Sequence, residues 1–111
     1  MGLGRLGVDE AGLEKFLRRV HERFRLERAL LFGSRARGDE LHESDYDLLL
    51  VSREFQSLGF AERMAVVQSL WELPESLEPL CYTPEEFERK RREIGTVSEA
   101  VREGRELPLP G

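Results

Sequence analysis

Seven consecutive residues, Asp45-Tyr46-Asp47-Leu48-Leu49-Leu50-Val51, constrain the fold more than any other stretch of this chain. The last four are apolar in succession, so this segment has no polar face. An extended segment of that kind must be covered on both sides, which makes it a central strand. A central strand needs neighbours. Arg28 to Phe32 is a short apolar run ending at Gly33 and reads as a second buried strand. Leu77 to Tyr82 reads as a third. Pro79 inside it has no N–H to give to a ladder, so that strand belongs at a sheet edge or a bulge.

The covering layers have to be helices. From Asp9 to Phe24 the apolar residues Leu13, Phe16, Leu17, Val20 and Phe24 recur at helical spacing, with Asp9 placed to cap the start. Leu58 to Leu73 returns to that period, with Ala61, Met64, Ala65, Gln68 and Trp71 along one stripe and Pro74 as the stop. Thr83-Pro84-Glu85-Glu86 is a helix start with Thr at the cap, Pro in the first position and Glu in the third. Gly95 is expected to end that helix. Thr96 and Glu99 repeat the capping spacing for one more, closed by Gly104. Residues 34–44 are polar and form a loop or a short helical turn. The expected fold class is therefore α+β (mixed α/β), a small mixed β-sheet flanked by helices. Residues 1–8 are expected to be a flexible N-terminus, 9–107 a single domain and 108–111 a tail.

Composition removes several function classes. At 111 residues the chain can bury one core and not two. Seventeen basic residues against 22 acidic ones leave a net charge of −5, which argues against direct nucleic-acid binding over a broad surface. A local Arg-lined phosphate site remains open. The lone cysteine, Cys81, excludes an internal disulfide framework and a multi-cysteine zinc site, and is expected in the core. The longest apolar runs are four residues, against about 18 for a membrane span. No basic segment leads into an apolar stretch at the N-terminus, so no secretory signal is expected and the cytoplasm is the expected compartment. Fifteen of the basic residues are Arg and there is no Asn. Heat adaptation and a GC-rich genome both produce that bias, and both stay open.

The chemistry concentrates between residues 33 and 47. Asp45 and Asp47 are two apart at a strand start, so alternation puts both carboxylates on one face. Two like charges held together call for a cation, and oxygen-only ligands suit Mg²⁺, which also takes substrate phosphates. Gly33-Ser34 ends the preceding strand. Glycine lets the backbone approach a ligand closely, the next amides can form an anion nest, and the Ser34 hydroxyl can donate to phosphate. Arg35 and Arg37 add positive charge beside it. One strand end thus offers a phosphate cradle and its neighbour a metal-binding pair, the arrangement that nucleotidyl transfer needs. Glu78 on the third strand is the best candidate for a third carboxylate, holding a second metal and helping to deprotonate an acceptor hydroxyl.

The stretch GSRARGDELHESDYDLLLV closely resembles the signature of the minimal nucleotidyltransferases, a branch of the DNA polymerase β superfamily. The segment LEPLCYTPEEFERKRREIGTVSEAVREGREL is similar to that family's C-terminal half. The resemblance implies a nucleotidyltransferase fold, phosphate binding at Gly33 and Ser34, and a two-metal Mg²⁺ site at Asp45, Asp47 and Glu78 with ATP as substrate. The family's third acid is commonly Asp. Glu78 adds a methylene and Pro79 follows it, and both departures bear on the second metal. Many such proteins are antitoxins of a small helical HEPN-type toxin, and some transfer AMP to a tyrosine hydroxyl of that partner. Others act mainly by binding. The expectation is therefore an antitoxin that adenylylates a HEPN-type partner. The alternatives are a catalytically weak module that neutralises the partner by complex formation, and a subunit of an aminoglycoside-type, small-molecule nucleotidyltransferase. A homodimer is a further expectation.

Overall fold

Asp9 opens the first helix, α1 (Glu10–Arg23), its carboxylate accepting from the Gly12 amide at 2.8 Å. The computed structural model describes residues 8–37 and 45–111, without the side chains of Ser34 and Arg37. The expectations for residues 1–7 and for the loop over 38–44 lie outside the described residues. After α1 come β1 (Arg28–Phe32), a four-residue helix α2 (Ser34–Arg37), β2 (Tyr46–Val51) and a 3-10 turn over Arg53–Ser57. Then follow α3 (Phe60–Ser69), β3 (Leu77–Tyr82), α4 (Pro84–Lys90), α5 (Thr96–Glu103) and β4 (Arg105–Glu106). Among the described residues no helix is long and apolar enough to cross a membrane.

The strands lie in the order β3-β2-β1-β4. β1 runs antiparallel to both β2 and β4, and β2 runs parallel to β3. The apolar run of β2 is divided between two cores, as a central strand requires. Leu48 and Leu50 join Leu13, Phe16, Leu17 and Val20 of α1 and Val67 of α3. Leu49 and Val51 join Phe87 of α4 and Val97 and Ala100 of α5. The α+β reading, with a mixed sheet between helical layers, therefore holds. Cys81 is fully buried in the first core, and that burial pushes its thiol pKa up to about 12.

Pro79 sits where its missing donor costs nothing, because β3 is an edge strand. Ser76 and Tyr82 carbonyls accept from Tyr46 and Ser52 amides, so the even-numbered residues of this segment bond to β2. Leu77, Pro79 and Cys81 turn their backbone groups outward. Side chains of α3 cover that edge: Gln68 Nε2 donates to the Leu77 carbonyl at 2.6 Å and Arg63 Nη1 to the Cys81 carbonyl at 3.1 Å. A covered edge with no donor at its middle is a poor template for another chain.

This edge overturns part of the stripe expected for α3, of which Met64 and Trp71 do pack against the first core. Its buried residues are Arg63 and Val67, while Ala61, Ala65 and Gln68 are exposed. The apolar period failed because an arginine occupies the inner face. It is satisfied there by the Cys81 and Leu58 carbonyls and by Glu86, at 3.1, 3.0 and 2.7 Å. The expected Leu58–Leu73 span is also shorter, with a 3-10 turn before it.

Two other expectations at the C-terminal end are corrected. The capping box at Thr83 and Glu86 forms, but α4 ends at Lys90 rather than running to Gly95. Gly95 instead caps α5, with Ser98 Oγ accepting from its amide at 3.3 Å, so the Thr96–Glu99 box does not form. Ser98 is short enough to bond back to the Gly95 backbone and takes the third position first. Beyond Gly104 the chain adds the unexpected β4. Leu30 pairs with Glu106 and Leu31 with Arg105, and the Leu107 amide donates to Ala29 O at 2.8 Å. Arg28 grips Glu106 through two bonds of 3.1 and 2.8 Å, and Arg105 reaches Glu10 on α1 at 3.1 Å.

Candidate functional site

The C-terminal end of β1 and the N-terminal ends of β2 and β3 meet at one end of the sheet. Register lines up three of the expected residues there. Phe32 pairs with Asp47 across the antiparallel ladder, and Asp47 pairs with Glu78 across the parallel one. Paired residues point to the same face, so Asp47 and Glu78 share the face that α4 and α5 cover further along. Asp45 is the residue before β2. Asp45 and Asp47 are half-buried and Glu78 is exposed.

Gly33 lies directly against Asp47. Its φ is +77°, and a Cβ placed on it would collide with Asp47 Oδ2. Both facts demand glycine, since an L side chain pays about 1–2 kcal/mol in that backbone region before any overlap. The turn that leaves β1 is thus pressed onto the Asp47 carboxylate. Gly33→Ala is expected to lower stability by more than that strain alone, because the Asp47 side chain or the turn must also move. Thermal denaturation of the purified variant measures it, and an unchanged Tm would contradict the close approach.

The four-residue helix α2 begins at Ser34, with the Ala36 amide donating to the Gly33 carbonyl at 3.2 Å. The roles expected of the Ser34 and Arg37 side chains lie outside the described residues. Arg35, expected beside the phosphates, packs inward. It is buried, and its guanidinium carbon sits 4.1 Å from the Tyr46 ring centroid. Tyr46 belongs to the core on the α1 side of the sheet, so Arg35 is directed to the face opposite Asp47. Tyr46 was missed as a site neighbour. Its position between two aspartates was the available signal. Its hydroxyl accepts from the Asp9 amide at 3.0 Å, and its ring meets Trp71 edge-on at 5.3 Å. Burial pushes its phenol pKa upward, with the Asp9 amide and Arg35 opposing.

Asp45 and Asp47 form a hard-oxygen donor pair, and one or two carboxylates with substrate phosphates is the usual Mg²⁺ environment. The donor chemistry therefore fits a divalent ion at these two residues. Among the described residues, no group of three or more His, Cys, Asp or Glu side chains gathers as a ready metal site. The sheet register brings Glu78 beside Asp47 without closing a three-carboxylate cluster.

The family model of the nucleotidyltransferase domain matches residues 13–103. Among solved structures, the chain is similar to a Sulfolobus solfataricus protein described as a candidate nucleotidyltransferase. The two are 27% identical, the match covers 80% of this chain and 84% of that one, and the TM-score is 0.58. A search of curated proteins returns no significant match.

Proposed function

Because this chain belongs to the nucleotidyltransferase domain family, we propose that it transfers AMP from ATP to a tyrosine hydroxyl of a HEPN-type partner and so acts as an antitoxin. The observation that carries the transferase part is the pairing of the Gly33 turn with the Asp45–Asp47 strand start. The backbone turn after β1 receives the phosphates. Asp45 and Asp47 hold Mg²⁺, which would neutralise the triphosphate when bound. Glu78 is poised across the ladder from Asp47 to take the acceptor proton and to serve a second ion. The acceptor oxygen bonds to the α-phosphorus, the bond to the β-phosphate oxygen breaks, and pyrophosphate leaves. The antitoxin part rests on the resemblance of residues 33–51 to minimal nucleotidyltransferases.

The test is an intact mass spectrum of this chain with its helical partner, Mg²⁺ and each nucleoside triphosphate in turn. The expected result is a gain of one or more AMP units on the partner with ATP alone. No gain on either chain with any triphosphate would overturn the transfer reading. A second reading, a binding module with weak catalysis, is favoured by the exposure of Glu78 on an edge strand. It predicts a stable complex that silences the partner without any mass change.

A further inference from the structure

We propose that Tyr46 and Arg35 form a clamp that fixes the phosphate-binding turn relative to the two aspartates. The inference rests on the transferase reading for its functional consequence and on geometry for the clamp itself. Helix α2 has four residues, which is too short to hold its own position. It is gripped from both sides of one strand end. On the α4/α5 side, Gly33 is pressed against Asp47. On the α1 side, the preceding residue of β2, Tyr46, carries the Arg35 guanidinium on its ring at 4.1 Å. Adjacent strand residues thus hold a single turn that straddles them.

The clamp is built into the core rather than laid on the surface. Tyr46 is 1% exposed and Arg35 5%. A stacked guanidinium shielded from water holds more strongly than an exposed one. The ring is itself seated by the edge of Trp71 and by the Asp9 amide that bonds its hydroxyl. Those contacts reach the start of α1 and the segment after α3. Tyr46 faces the α1 side of the sheet, away from Asp47. It acts through Arg35 and is a positioning residue for the turn and for the carboxylates on either side of it.

Four variants test this: Tyr46→Leu and Arg35→Ala remove the stack, Tyr46→Phe keeps the ring, and Val20→Ala loosens the same core away from the turn. Two readouts are taken on each soluble full-length chain. One is amide hydrogen exchange of residues 33–37 without ligand. The other is kcat and KM for AMP transfer with Mg²⁺ and ATP. Tyr46→Leu and Arg35→Ala are expected to speed exchange in the turn. They should lower kcat about 10- to 100-fold with KM changed less, the cost of a displacement near 1 Å. Tyr46→Phe keeps the ring and its Trp71 contact but loses the Asp9 bond, so both readouts are expected to stay much nearer wild type than in Tyr46→Leu, and Val20→Ala is expected to lower Tm without moving either. Slow exchange in Tyr46→Leu, or equal effects from Val20→Ala, would overturn the clamp. If the wild-type chain transfers nothing, the transferase reading falls, and the exchange measurement alone decides the clamp.

Discussion

Asp47→Asn is expected to lower nucleotidyl transfer by about 10³-fold or more while the far-UV circular dichroism stays that of the wild type. The substitution keeps the shape of the side chain that lies against Gly33. It removes the negative charge that a divalent ion needs. The amide still fills the same space between Phe32 and Glu78. The loss should therefore be one of charge and not of packing. Titration with Mn²⁺ separates the two, because a charge defect appears as weakened metal dependence and a packing defect does not. A variant with full turnover would show that the metal, if used, is held elsewhere.

Arg63→Ala is expected to be the most destabilising single change outside the apolar core. The side chain has 7% of its surface exposed, and its bonds to Glu86 are 2.7 and 3.3 Å. Removing it leaves the Glu86 carboxylate with the Thr83 amide alone, deprives the Leu58 and Cys81 carbonyls of donors and uncovers the β3 edge. Glu86 is partly exposed, so the loss is that of several charge-assisted hydrogen bonds, together about 2–4 kcal/mol. For a domain of this size that is a fall in Tm of about 10 °C or more. A fall of only a few degrees in a thermal scan would mean that the edge is held without it.

The pH dependence of that pair has a definite sign. The Arg63 hydrogen bond, foremost, holds the Glu86 carboxyl below its ordinary value of 4.5. A carboxyl lowered in the folded state binds fewer protons there than in the unfolded chain. It contributes stability above 4.5 that is lost as pH falls through the depressed value. The gap in stability between wild type and Arg63→Ala should therefore be widest near neutrality and narrow in acid. Taking the difference cancels Glu27 and Glu106, which Arg53 and Arg28 hold low in the same way.

The parts legible from the residues were those whose cause is local. β1 and β3 occupy Arg28–Phe32 and Leu77–Tyr82 as read, because an apolar run bounded by a turn residue has one extended solution. The Asp9 cap and the Thr83–Glu86 box formed because each bonds within three residues. The nearness of Gly33 to the aspartates was legible in kind, since a glycine at a strand end and two acids at the next strand start come together whenever the two strands pair. The placement of Asp47 on the face shared with Leu49 and Val51 needed only the two-residue period of a strand.

What the residues could not disclose depends on partners distant in the chain. β4 is two charged residues with no apolar pattern, and it exists because β1 offers an open edge and Arg28 and Glu10 offer counter-charges. Arg63 looks like a surface residue until carbonyls from Leu58 and Cys81 surround it. Arg35 stands beside Ser34 in the sequence, and only the fold brings the ring of Tyr46 against it. Short-range bonding and periodicity wrote the strands, the caps and the acidic pair into the sequence. The direction of each long charged side chain was settled only by the tertiary structure. A guanidinium with many rotamers goes where desolvated acceptors and aromatic faces are assembled, and the fold alone assembles them.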